Sequence, residues 1–169
     1  MHMSDSYKSN SVIWFFLHPL EMLLCLLMAA IVVVTFAQVV FRYALENPLS
    51  WSEETARFLF MWLTMLGAAY AFKLKSHFAL TFLTKRLNET RKKILSSLIT
   101  LVLSIFLVIF IWKGFYLIFT VAIDQIAPAT QIPVAVPYLS GPVGGILMLY
   151  YIIRNWWEEL RNFPRSSKE

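Results

Sequence analysis

Four apolar stretches, residues 19–41, 51–72, 94–123 and 136–153, run through this chain of 169 residues. A helix that crosses a bilayer needs about 20 mostly apolar residues at about 1.5 Å rise each. The first and third stretches exceed that need. The second meets it only if its helix begins near Trp51, and the fourth stands at the lower limit. Hydrophobic residues make up 59% of the chain, above the roughly 45–50% apolar usage of soluble domains. Little is left from which to build a separate soluble domain. The expected fold is therefore all-α integral membrane, with four transmembrane helices.

Charge sets the expected orientation. Of the 15 Lys and Arg residues, only Arg42, Arg57 and Lys113 fall toward one side of the four crossings. The rest lie before the first span, between the second and third, or after the fourth. Short basic loops stay in the cytoplasm, which predicts N-in and C-in. The expected division is a cytoplasmic leader over 1–16, a membrane domain over 17–155 with spans near 19–41, 51–74, 94–123 and 136–154, and a cytoplasmic tail over 156–169. The net charge of +5, distributed in this way, points to anionic membrane lipids as partners, not to nucleic acid.

The chain offers little catalytic chemistry. Its single cysteine, Cys25, excludes an internal disulfide or a CxxC redox pair. His2, His18 and His77 form no metal or haem spacing, and no HExxH, phosphate loop or nucleophile elbow is present. No enzyme activity and no resident cofactor are expected. Nor do short, Gly- or Pro-interrupted spans pair up as they do around a transporter's substrate site. On the residues alone the chain reads as an accessory or scaffold subunit. The alternative is a self-contained small transporter or channel that works as a homo-oligomer.

Local signals add detail. Ser50-Trp51-Ser52-Glu53 fits a capping box with Ser50 as N-cap. Glu53 and Arg57 stand at i,i+4, with Glu N-terminal, the better orientation for a helix pair. Gly67 and Ala71 share a face and invite close helix approach; Gly141 and Gly145 repeat the device, and Pro142 invites a kink. The stretch 77–87 alternates apolar and polar residues as an amphipathic segment on the inner leaflet. Lys113, near the outer end of an overlong third helix, is expected to snorkel to the headgroups. The loop 124–138, with Pro128, Pro133 and Pro137, reads as a compact extended turn.

Phe41-Arg42-Tyr43, then Pro48-Leu49-Ser50-Trp51-Ser52-Glu53-Glu54-Thr55-Ala56-Arg57 and Gly67-Ala68-Ala69, form an ordered series of motifs. His77 after Lys73 and Lys75, and then Ile132-Pro133, Tyr138-Leu139 and Pro142-Val143-Gly144, continue it. In this order the series resembles the small membrane subunit, often called DctQ-like, of the tripartite ATP-independent periplasmic (TRAP) transporters. Phe78-Ala79-Leu80-Thr81 departs from that family by lacking an acidic residue after the histidine.

The resemblance implies a bacterial inner-membrane subunit that takes part in sodium-coupled uptake of an organic acid anion, such as sialic acid or a C4-dicarboxylate. A periplasmic binding protein would capture the solute. A large membrane subunit would carry the substrate and sodium sites and move as an elevator, while the small subunit braces it. Arg42, Trp51, Glu54, Arg57, Gly67 and His77 become the candidate contacts to the large subunit or to lipid.

Overall fold

The computed structural model describes residues 19–74 and 89–162. They form α1 (Pro19–Tyr43), α2 (Ser50–Lys73), α3 (Glu89–Leu117), a short α4 (Ala135–Tyr138) and α5 (Ser140–Asn162). A π-helical turn, Ile118–Ala122, prolongs α3. Four segments are long and apolar enough to cross a membrane: Pro19–Tyr43, Ser50–Lys73, Ile94–Ala122 and Ala135–Glu159. No strand occurs among the described residues; a lone bridge joins Ile126 and Pro133. His77 and the amphipathic stretch lie outside the described residues.

The long helices stand in a row. α1 packs chiefly on α2, α2 on α5, and α5 on α3. Burial follows from this arrangement: Ala69 of α2, Leu107 of α3 and Met148 and Ile152 of α5 make the core, flanked by Met65, Phe72, Leu103 and Leu147. α1 contributes no buried residue at all.

Glycines fix how closely the row is drawn together. A Cβ on Gly144 would lie 2.8 Å from the Met65 Cβ and 3.0 Å from its carbonyl oxygen, so α2 and α5 nearly touch backbones there. A Cβ on Gly145 would lie 2.8 Å from Ile111, and one on Gly114 the same distance from the Pro142 ring. α5 is thus pressed between α2 and α3 on adjacent glycines. Small residues serve this purpose in lipid, where helix association gains nothing from excluding water.

One local expectation needs correction. α2 begins at Ser50 with Leu49 as its N-cap, and no side chain caps it, so Ser50 and Glu53 do not form a capping box. Ser52 supplies the polar contact instead: it is fully buried, and its hydroxyl donates to the Leu49 carbonyl at 2.6 Å. Pro142 falls in the first turn of α5, just after the break between α4 and α5 at Leu139. There its missing N–H would have had no intrahelical partner.

Candidate functional site

At the end of the row that carries Tyr43 and Ser50, the connection from α3 to α4 folds back on itself. Ala127 N–H donates to the Ile132 carbonyl at 3.0 Å, and Val134 N–H donates to the Gln125 carbonyl at 2.9 Å. Gln131 adopts a left-handed backbone, φ 57°, just past the consecutive N–H groups of Ala129 and Thr130. The Glu54 carboxylate accepts both, from Thr130 at 2.7 Å and from Ala129 at 3.1 Å. Successive amides converging on one oxygen make a backbone nest, a natural seat for a negative charge. Glu54 thereby fastens this loop to α2. The Thr130 hydroxyl beside it is buried without a hydrogen-bond partner.

Glu54 and Arg57 are not brought together. Arg57 pairs instead with Glu53, Nη2 to Oε1, at 3.3 Å, as the i,i+4 spacing predicts. Both side chains are open, at 63% and 66% exposure. Trp51 is exposed at the start of α2, and Arg42 is exposed in the last turn of α1. Nothing lies within 4 Å of where a Gly67 side chain would begin, unlike Gly144 and Gly145. Lys113 reaches over the Tyr116 ring, 5.6 Å from its centroid, at an exposed position on α3. An aromatic ring beside an ammonium suits the boundary of a membrane.

The opposite end of the row is laced by polar contacts. Lys73 meets Glu21 at 3.1 Å, joining α2 to α1, and lies 5.5 Å from the Tyr70 ring centroid. Asn155 donates to the Phe72 carbonyl at 2.7 Å and so satisfies the end of α2 from α5. Ser96 donates to Glu159 at 2.7 Å, and the Trp156 indole donates to Ser97 at 3.2 Å, tying α3 to α5. Each bond joins segments far apart in sequence. Among the described residues no group of three His, Cys, Asp or Glu could hold a metal ion.

A row of four membrane-crossing helices, cross-tied at both ends, defines a multi-pass α-helical membrane protein. Residues 31–162 match the DctQ component of the tripartite ATP-independent periplasmic transporters. The chain belongs to that family. It is therefore a transporter component of the bacterial inner membrane and not an enzyme. A TRAP transporter small permease of Haemophilus influenzae is 29% identical over 144 residues, covering 85% of this chain and 89% of its own length. The sialic acid TRAP transporter small permease protein SiaQ of Vibrio cholerae is 33% identical over 132 residues, 73% of this chain and 71% of that one. The isethionate TRAP transporter permease protein DctMQ of Oleidesulfovibrio alaskensis is 28% identical over 142 residues; these are 80% of this chain but only 22% of that protein.

Proposed function

We propose that this chain is the small permease subunit of a three-part, sodium-coupled importer of an organic acid anion, sialic acid or a C4-dicarboxylate. It works beside a large membrane subunit and a periplasmic binding protein. Its task is to brace the large subunit, which carries the solute and the sodium. The observation that carries this reading is the single-file row of helices. Among the described residues a layer one helix thick encloses no central chamber, and the side-chain hydrogen bonds and ion pairs that join one helix to another lie at its two ends. Relatives named for sialic acid and for C4-dicarboxylate support the substrate class. The membrane-facing perimeter makes bilayer lipids the remaining partners, and the skew of Lys and Arg supports a cytoplasmic location for both termini.

Reconstitution tests it. Proteoliposomes holding this chain and the large subunit, supplied with the binding protein and an inward sodium gradient, are expected to accumulate labelled anion. Vesicles lacking this chain are expected to fail. Vesicles with this chain alone are expected to show no flux. Flux from the chain alone would instead establish a self-contained transporter.

A further inference from the structure

We propose that one face of α2 is the seat of a transmembrane helix of the large permease subunit, with the two backbones closest at Gly67 and Ala71. This rests on the accessory-subunit reading above and adds which surface forms the joint. Positions 53, 57, 60, 64, 67 and 71 advance by alternating fours and threes, which sets them in one straight stripe along a helix. From Ser52 to Phe72, the exposed positions of α2 are Glu53, Arg57, Phe60, Thr64 and Ala71, all in that stripe. Gly67 completes it, with open space where a Cβ would stand. The other sides of α2 are covered to some degree by α1 and α5.

What the stripe is made of sets it apart from the other exposed faces. α1 and α3 present bulky aliphatic and aromatic groups, such as Val33 and Phe36, and Val102 and Ile105, which acyl chains solvate well. The α2 stripe holds one such group, Phe60; its other members are an ion pair, a hydroxyl, a glycine and an alanine. α2 and α5 are the two least apolar of the four spans, yet only 11% of α2's crossing stretch is buried within this chain, against 39% of α5's. Polarity and burial agree in α5 and disagree in α2. A second helix removes the disagreement. Small residues four apart let its backbone approach, and the exposed Glu53–Arg57 pair lies at the stripe's end, where it can fix register. The occupant belongs to a larger permease because the matched module occurs inside one: it makes up 22% of the isethionate permease protein, whose remaining length is covalently tethered to it.

The test uses the full chain co-expressed with its large permease subunit. Gly67→Leu begins its side chain where nothing else of this chain lies within 4 Å, so the small subunit itself should fold and insert as before. Recovery of the large subunit on the tagged small subunit is expected to fall about tenfold. Val102→Leu on α3 is expected to leave recovery unchanged. A benzophenone amino acid at position 64 should crosslink, on illumination, to a species identified by mass spectrometry as the large subunit; the same probe at position 102 should not. Undiminished recovery with Gly67→Leu would overturn the assignment of this face while leaving the accessory reading intact. A crosslink at position 64 to a second copy of this chain, or to lipid only, would do the same. Failure of the wild-type chain to retain the large subunit would overturn the accessory reading itself, and this proposal with it.

Discussion

Glu54 and Thr130 lie 76 residues apart in sequence, yet the carboxylate of one accepts the backbone N–H of the other at 2.7 Å. The Ala129 N–H shares the same oxygen. One side chain on α2 thus holds the connection between the third and fourth spans. Hydrogen bonds to a charged group contribute about 1.5–3 kcal/mol each when sheltered, and these are partly solvated. Glu54→Ala is therefore expected to cost about 1–3 kcal/mol in total. Thermal unfolding in detergent and proteolysis within 123–134 would register the loss. An unchanged melting temperature together with unchanged cleavage would deny the fastening role.

The glycines make opposite predictions. Gly144→Ala drives a methyl into the Met65 backbone, and overpacking of that kind costs about 1–3 kcal/mol. Gly67→Ala meets empty space, and in the isolated chain it should raise stability by up to about 1 kcal/mol through helix propensity alone. Melting curves of the two purified variants decide the matter. Equal destabilisation would mean that α2 and α5 are packed differently.

The two ion pairs of α2 differ in worth. Glu53–Arg57 is open to solvent, and its loss by Glu53→Ala should change the stability of the isolated chain by less than about 0.5 kcal/mol. Lys73–Glu21 is more sheltered, with side-chain exposures of 30% and 17%. Lys73→Ala leaves the partly desolvated Glu21 carboxylate without its counter-charge, at an expected cost of about 1–2 kcal/mol. A double-mutant cycle with Glu21→Gln should return most of that as coupling. A coupling near zero would show that the pair does not hold α1 to α2.

Orientation has a direct assay. In a Cys25→Ser background, single cysteines placed within 81–89 should react with a membrane-impermeant reagent only after the cytoplasmic side is exposed. Labelling from the periplasmic side of intact cells would invert the topology.

The number of spans was legible because it depends on runs of residue type, and the four apolar stretches became four crossing segments. The Glu53–Arg57 pair was legible because it is local, one turn of one helix. The role of Glu54 was not, since its partners are backbone amides 75 and 76 residues away and carry no side-chain signature. The capping box failed for a related reason: α2 starts one residue early, which makes Leu49 the cap and turns Ser52 inward. The pattern of small residues was visible, but spacing could not say which glycine was already in use. Gly144 and Gly145 are filled from within, whereas Gly67 is left open. Asn155, which closes the end of α2, stood in no motif and became apparent only once α5 lay beside it.

The segment Ile94–Ala122 has 29 residues, a rod about 43 Å long in a hydrocarbon slab about 30 Å thick. It must lean or stand proud, and because α5 grips it at Gly114 and Gly145, its neighbours lean with it. Bilayer thickness is therefore a mechanical input to the whole panel: thinner lipid would lay it flatter, and thicker lipid would draw it upright.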